Sequence, residues 1–405
     1  MSLVRIPGTQ GQRPGKKNPR REIPYRKLSH DATPAVFEAR EGQLRIRLWE
    51  LGLAHAALEA IDTGRAPINM NKTTPSLEPF VGKLHMHEPG SLIFAGHSFG
   101  ATTITQLLKS TYHAGSAELA SMKKPLFVPA DNSSLRRQVS PRSVAMLLDM
   151  WCLPLLAPNS APLFNLPLPM YADVPTAAGG TALLAVASDS FYAWREHLHT
   201  TARILSPDPS AGTVTPDLFE RPSGLRLSEP TFFYVVDSAH LSQSDFGILF
   251  PWLTKLVFGA AEPERVLRLN LRAQLQHLRV NNVPIARTWH GDLVEGAHLD
   301  KQDMRVNPES RTLEDGIHDD VAIFERTRNG RVRSWKWIDT IGLGGEGGAT
   351  SPSPIDGGEA SAQVASGDGA VQATMHTNKK VMEREVEGVI DPGPELAPAS
   401  ERTLA

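Results

Sequence analysis

The three residue types needed for nucleophilic hydrolysis occur in this chain in a recognisable order. Ser98 lies within Gly96-His-Ser-Phe-Gly100, and Asp149 and His240 follow it along the sequence. A serine hydroxyl becomes a nucleophile when a histidine accepts its proton and a carboxylate orients that histidine. We therefore take Ser98 as the candidate nucleophile, His240 as the candidate base and Asp149 as the candidate acid.

Short apolar runs precede each of the three candidates. Residues 91–95, 144–148 and 232–236 are predicted strands, because each run is brief, apolar and followed by polar residues. Ser98 is followed by a predicted helix over residues 101–108, and strand, Gly-x-Ser-x-Gly and helix together are typical of the nucleophile elbow of α/β-hydrolases. The sequence therefore predicts the α/β fold class, with a mostly parallel sheet that gathers the candidates at one edge.

A second carboxylate competes for the role of the acid. Asp189 follows residues 183–187, a further predicted strand. Because it also stands at a strand end, it is an alternative to Asp149 as the acid. Spacing favours Asp149 over Asp189. Asp237 is too close to His240 in sequence to be its natural partner and is predicted to shape the turn.

Three sequence elements resemble the platelet-activating factor acetylhydrolase family. They are Gly96-His-Ser-Phe-Gly100, Leu148-Asp-Met-Trp151 with Pro154-Leu155 close behind, and Ser238-Ala-His240. The resemblance covers roughly residues 30–280, and the Leu-Asp-x-Trp element is its most specific part. It implies a calcium-independent serine esterase of the α/β-hydrolase fold, with no metal and no cofactor.

The resemblance also implies roles for individual residues. Asp149 would be the acid, and the backbone N–H of Phe99 would donate to the oxyanion. The implied reaction removes a short or oxidised sn-2 acyl group from a phosphocholine lipid. The expected partner is therefore the phospholipid substrate, with binding at a lipid surface left open.

The front of the chain departs from this family pattern. No apolar strand run precedes Ser91, and no His-Gly element stands there to donate a second oxyanion N–H. We therefore expect an α/β-hydrolase sheet without its N-terminal strands, and we interpret the chain as the catalytic part of a longer enzyme. The alternative function is a catalytically impaired lipid-binding or interaction protein. A small-ester or peptide hydrolase of the same fold is a third interpretation.

Charge and composition divide the chain into three predicted regions. Residues 1–30 form a basic arm predicted to be irregular, residues 31–340 the catalytic domain, and residues 341–405 a disordered acidic tail. Residues 1–27 hold eight Lys/Arg against one Glu, and the tail holds four against ten Asp/Glu. The overall charge of −2 gives no indication of nucleic-acid binding.

Helix signals frame the predicted strands. Thr33-Pro34 is a typical helix start, and leucines at helical spacing continue to Gly64, which should end that helix. Residues 244–258 and 262–278 are predicted to form two further helices after the histidine.

A proline-rich apolar segment follows the candidate acid. Residues 151–171 contain five prolines, so they cannot form one regular helix. The segment is predicted either to wall an acyl pocket or contact a lipid surface, or to be a buried connector. The candidate substrate-pocket residues are Trp151, Leu153, Leu155 and Phe164.

The remaining polar motifs carry little chemistry. His85 and His87 are interpreted as loop residues, and His197 and His199 cannot share one helix face, so no metal site is predicted. The single cysteine, Cys152, excludes an internal disulfide. No signal peptide and no apolar run of about 18 residues is visible. The expected location is cytoplasmic or unknown.

Overall fold

The computed structural model describes residues 2–4, 21–23, 28–65, 76–252, 262–286, 288–289, 316–317, 319–327 and 330–344. The predicted acidic tail falls almost wholly outside the described residues. The strands within them are β1 (Ser2–Val4), β2 (Arg21–Ile23), β3 (Ile93–His97), β4 (Val144–Leu148), β5 (Leu183–Ser188), β6 (Thr231–Val235), β7 (Thr288–Trp289), β8 (Gly316–Ile317) and β9 (Trp335–Trp337).

The central sheet contains five strands in the order β3-β4-β5-β6-β9. Strands β3 to β6 run parallel, and β9 pairs with β6 in the antiparallel direction. The predicted strands 91–95, 144–148, 183–187 and 232–236 are confirmed to within two residues. Their parallel pairing brings all their carboxyl ends to one edge, where the candidate residues follow.

Helices cover both faces of this sheet. They are α1 (Pro34–Asp62), α2 (Phe99–Tyr112), α3 (Ala117–Ser121), α4 (Ser134–Gln138), α5 (Ala161–Phe164), α6 (Asp189–Ala193), α7 (Arg195–Ile204), α8 (Phe246–Leu249) and α9 (Pro263–Val280). Apolar residues of α1, α2 and α7 pack in one cluster on one face, and those of α9 pack on the other. This layered arrangement confirms the predicted α/β fold class.

Both faces of the parallel strands are buried, so successive strand residues enter different cores. In β4, Ala145 and Leu147 pack with α1, α2 and α7, whereas Met146 packs with α9. In β5, Ala185 packs with α1, α2 and α7, and Val186 packs with α9. Burial on both faces explains why these strands are continuous apolar runs.

The signals at both ends of α1 act as predicted. Thr33 Oγ1 accepts a hydrogen bond from Val36 N–H at 3.4 Å, and Pro34 occupies the first turn. The helix ends at Asp62, and Gly64 follows with φ +72°. This left-handed conformation is one that glycine adopts without steric cost.

The elbow strand β3 lies at one edge of the described sheet. It pairs with β4, and Ile93 is 37% exposed. Strands β1 and β2 precede it in the chain but pair with each other in a separate antiparallel ribbon, within the segment predicted to be irregular. Within the described residues, no strand that precedes β3 in the chain joins the central sheet, as the sequence predicts.

The helix predicted over residues 244–258 is interrupted at Phe250, and residues 251–252 are helical again. Helix α8 has four residues, and Phe250 leaves the helical conformation with φ −130° and ψ 57°. The residues directly after His240 form turns, in which Ser242 N–H donates to Ala239 O and Ser244 N–H donates to Leu241 O. Residues 253–261 lie outside the described part of the chain. By contrast, the helix predicted over 262–278 is confirmed as α9.

In the described part of the chain, none of the helices combines the length and apolar character that crossing a membrane requires.

A lysine is buried in the helical layer beside the sheet. Lys109 of α2 is 2% exposed, and its Nζ donates to Phe164 O at 2.7 Å. Burial, and to a lesser degree the nearby charge of Arg203, lower the pKa of Lys109 to about 7. An ammonium without a carboxylate partner is expensive to bury, so this side chain should lose its proton far more readily than a solvated lysine.

Replacing Lys109 by methionine should remove a pH dependence of stability. The pKa of Lys109 is about 7 in the folded chain and 10.5 in the ordinary solvated state. Between these values the unfolded chain binds more protons, so the free energy of unfolding should rise with pH. Urea unfolding at several pH values from 7 to 10 should show this rise in the wild type and a weaker one in Lys109→Met. The exposed Lys123→Met is the control, and identical profiles for wild type and Lys109→Met would contradict the prediction.

Candidate active site

The turn that carries Ser98 is held in a conformation that most residues avoid. Ser98 connects β3 to α2 with φ 56° and ψ −121°. A β-carbon at Gly96 would lie 2.4 Å from the carbonyl carbon of Gly100, so glycine is required there by close approach. At Gly100 itself a β-carbon would meet nothing within 4 Å. The half-buried serine is thus presented between the strand end and the first helical turn.

Backbone hydrogen bonds join the Ser98 turn to the loop after β4. Ser98 N–H donates to Leu148 O at 2.9 Å, and Trp151 N–H donates to Ser98 O at 3.3 Å. The hydroxyl of Thr102, one turn into α2, also donates to Trp151 O. These bonds fix the nucleophile turn against the loop that carries Asp149.

Asp149 is the carboxylate that contacts the histidine. Its Oδ2 lies 3.1 Å from Nδ1 of His240, and both side chains are buried. The second carboxylate oxygen, Oδ1, accepts the backbone N–H of Ser188. Asp149 N–H donates to Val186 O at 2.7 Å, and the residue has φ 42°. The acid is therefore held from both its side chain and its backbone by the neighbouring strand β5.

The competing carboxylate, Asp189, faces the backbone of the histidine loop. Its Oδ2 accepts Asp237 N–H at 3.1 Å, and its own N–H donates to Ser238 Oγ at 3.1 Å. Burial raises the pKa of Asp189. Asp237 has φ 56° at the turn after β6. Of the two carboxylates that the sequence leaves open, Asp149 is the one placed against the imidazole.

The imidazole of His240 lies between two other rings. Phe191 of α6 stacks on it with ring centroids 4.8 Å apart and planes inclined by 13°. The ring of His97, the residue before the nucleophile, lies 4.6 Å from it at 33°. Burial, together with the charge of His240, lowers the pKa of His97 to about 4, so His97 is neutral near pH 7. Neither ring has a role predicted from the sequence: His97 occupies a variable position of the Gly-x-Ser-x-Gly pattern, and Phe191 lies outside the motifs.

A second buried histidine anchors the loop after Asp149. Nε2 of His197 in α7 accepts the N–H of Cys152 at 3.1 Å. Burial lowers the pKa of His197 to about 4, which keeps this nitrogen an acceptor. The thiol of Cys152 is buried and lies 3.2 Å from Thr201 Oγ1. His197, considered from the sequence only as a metal ligand together with His199, thus supports the loop that carries Asp149.

Phe99, the residue expected to donate to the oxyanion, begins α2. Among the described residues, its backbone N–H has no hydrogen-bond acceptor, as is usual in the first turn of a helix. Its ring packs edge-on against Trp151 with centroids 5.8 Å apart. The amide is therefore available to a developing negative charge beside Ser98.

The proline-rich segment is folded into the core as short turns. Its regular pieces are the 3-10 turns Leu153–Leu156, Pro158–Ser160 and Pro169–Tyr171, and the four-residue helix α5. Trp151, Leu155 and Phe164 are buried, and Leu153 is half-buried. Buried side chains cannot rest on a lipid surface, so of the interpretations given above, burial favours the connector. The assignment of these four residues to an acyl pocket stays a prediction.

One group of side chains has the donor atoms for a metal ion. His97, Asp149 and His240 offer ligand atoms within 4.8 Å of one another. Nitrogen and carboxylate donors suit Zn²⁺. However, Asp149 and His240 are already hydrogen-bonded to each other, which is the arrangement that orients a catalytic base. The geometry of the group therefore fits a candidate acid–base pair with a neighbouring histidine at least as well as a metal site.

A comparison with known families supports the resemblance found in the sequence. Residues 9–162 match the family model described as "Platelet-activating factor acetylhydrolase, isoform II". The matched range includes Ser98, Phe99, Asp149 and Trp151 and ends before His240. No protein with a curated description and no solved structure gives a significant match. The chain is thus related, over this range, to a family of lipid esterases.

The two glycines of the elbow should respond very differently to a methyl group. In Gly96→Ala the new β-carbon would collide with backbone, and we expect a loss of stability of about 3 kcal/mol or more. In Gly100→Ala the β-carbon enters open space, and alanine favours the helix by about 1 kcal/mol. Urea unfolding of both variants measures the difference. Similar stabilities for the two variants would contradict the geometry described for this turn.

Proposed function

We propose that this chain, a relative of the platelet-activating factor acetylhydrolases, is a serine esterase. Its reaction would remove a short or oxidised sn-2 acyl group, such as acetyl, from a phosphocholine lipid. The observation that carries the proposal is the buried contact of 3.1 Å between Asp149 and His240, next to the Ser98 turn. The family match supports esterase chemistry, and the choice of a phosphocholine lipid follows from the sequence resemblance.

The proposed first half-reaction transfers the acyl group to the enzyme. Ser98 Oγ attacks the ester carbonyl while Nε2 of His240 takes the hydroxyl proton. Phe99 N–H donates to the resulting oxyanion. The tetrahedral intermediate then breaks its bond to the glycerol oxygen, which leaves as an alcohol with the proton from His240. An acyl-serine remains.

The proposed second half-reaction is hydrolysis of that acyl-serine. A water molecule gives a proton to His240 and attacks the carbonyl carbon. The second tetrahedral intermediate releases Ser98, which recovers its proton from His240, and the free carboxylic acid departs. Asp149 holds Nδ1–H of the imidazole throughout and stabilises its charged form. The neutral His97 beside that ring adds no positive charge to oppose it.

Exposed apolar side chains follow His240 and support action at a lipid surface. Four large apolar side chains within five consecutive residues are each between 46% and 74% exposed: Ile248, Leu249, Phe250 and Trp252. Large apolar side chains grouped in this way often mark contact with lipid or protein. We assign this group, rather than the buried Trp151 segment, to the lipid surface.

The alternative function is a lipid-binding protein of impaired activity. Two observations favour it: the elbow strand β3 lies at the edge of the described sheet, and Phe99 N–H is the one oxyanion donor assigned. Loss of one oxyanion donor typically lowers kcat by about two to three orders of magnitude. Such a protein would bind the phospholipid but release little acid.

Turnover of a phosphocholine lipid with an sn-2 acetyl group tests the proposal directly. We expect acetate release by the full chain, abolished in Ser98→Ala, and lowered about 10³- to 10⁴-fold in Asp149→Asn. Asp189→Asn is the matched control, since its carboxylate binds backbone, and it should retain most of the activity. If the folded wild type binds the lipid without releasing acetate, the alternative function is correct. If Asp189→Asn is the inactive variant, the acid is misassigned.

Trp252→Ser should separate lipid-surface binding from chemistry. Trp252 is 74% exposed, so its loss should leave the fold and the turnover of a dissolved short-chain ester unchanged. Turnover of lipid in phosphatidylcholine vesicles should fall about tenfold, because apolar area entering the membrane is lost. Trp49→Ser, which removes a 60% exposed tryptophan from α1, is the control. Equal losses for both variants would contradict the assignment of the surface.

A further inference from the structure

We propose that Arg47 forms a binding subsite for the phosphodiester group of the substrate, beside the reacting ester. The inference rests on the proposed function and extends it, since nothing in the sequence motifs identifies a group that recognises the lipid headgroup. The ligand class is an anionic phosphodiester. The contact would be made by the guanidinium of Arg47, which belongs to α1, the helix before the elbow.

The position of Arg47 carries the argument. Arg47 belongs to α1, and its Cζ lies 4.5 Å from the centroid of the Phe99 ring. Phe99 directly follows Ser98, and its backbone N–H is the proposed oxyanion donor. The Phe99 side chain therefore connects the residue that would hold the ester carbonyl to a ring that contacts the guanidinium.

Two neighbouring arginines of α1 are occupied by protein groups. Arg45 donates to Lys124 O at 3.3 Å and lies 3.6 Å from a carboxylate oxygen of Glu41. Arg40 is buried, donates to Gln43 Oε1 at 3.0 Å, and stacks over Trp151. Both side chains therefore already bind groups of the protein.

The guanidinium of Arg47 has a different environment. Arg47 is exposed, and within the described residues no carboxylate or carbonyl oxygen pairs with its guanidinium. Its Cζ lies over the Phe99 ring, and a guanidinium has five N–H donors, so this contact with the ring leaves donors for an acceptor. Arg47 is therefore positioned by a ring and still able to bind an anion.

Substrate chemistry fits this placement. In a glycerophospholipid the sn-2 ester and the phosphodiester are attached to adjacent carbons of glycerol, so they are only a few bonds apart. When the ester carbonyl lies at Phe99 N–H, the phosphate falls within reach of a side chain that covers the Phe99 ring. Arginine binds phosphate oxygens through two parallel N–H···O bonds, which gives direction as well as charge.

A pair of substrates that differ only in the presence of the phosphocholine group tests the subsite. The first is a monomeric 1-alkyl-2-acetylglycerophosphocholine with a short alkyl chain, and the second is the corresponding uncharged 1-alkyl-2-acetylglycerol. In Arg47→Met we expect kcat/KM to fall about tenfold for the phospholipid and to stay unchanged for the acetylglycerol. Added salt should reduce the difference in kcat/KM for the phospholipid between the wild type and Arg47→Met, because it screens the charge of the guanidinium. Arg45→Met, on the same helix, should alter neither substrate.

A binding measurement keeps the inference testable if turnover is absent. The Ser98→Ala chain, titrated with a short-chain diether phosphocholine, should bind it about tenfold more tightly than the Ser98→Ala/Arg47→Met chain. Equal losses on both substrates, or equal diether affinities, would overturn the subsite and assign Arg47 to packing alone. Failure of the wild type to cleave either substrate, with the affinity difference intact, would instead reject the proposed esterase and retain the phosphate subsite.

Discussion

The close approach of β3 to the first turn of α2 is the constraint on which the rest of the site depends. With a β-carbon excluded at Gly96, the chain reverses within one residue and Ser98 takes a positive φ. The strain is held by backbone bonds from Ser98 to Leu148 and from Trp151 to Ser98. Since Asp149 lies between those two partners, the nucleophile turn and the acid loop form one unit.

The proposed acid–base pair, Asp149 and His240, is held by its surroundings as much as by its own hydrogen bond. Asp149 receives backbone N–H donation from Ser188, and His240 is enclosed by the rings of Phe191 and His97. Low pKa values keep His97 and His197 neutral near pH 7, so neither competes with the imidazolium for the carboxylate. A buried carboxylate beside a ring of fixed orientation is what a general base requires.

The prediction from sequence was most accurate where the local pattern and the tertiary environment agreed. Apolar runs of five or six residues became strands at the expected positions, because parallel strands buried on both faces have no polar alternation. The helix predicted over 244–258 is interrupted at Phe250, beside side chains such as Leu249 and Trp252 that remain exposed. The proline-rich segment allowed several readings, and burial of Trp151, Leu155 and Phe164 favours the connector.

The sequence by itself determined the order and type of the candidate residues and the tight turn at Ser98. These are local properties, since glycine spacing, apolar runs and helix caps act within a few residues. Only the tertiary structure decided which of Asp149 and Asp189 contacts His240, because the two carboxylates follow adjacent strands in equivalent ways. That choice depends on where β6 brings His240, a contact across 91 residues. The ring contacts of His97 and Phe191, and the stacking of Arg47 on Phe99, likewise join separate elements, so no local pattern could predict them.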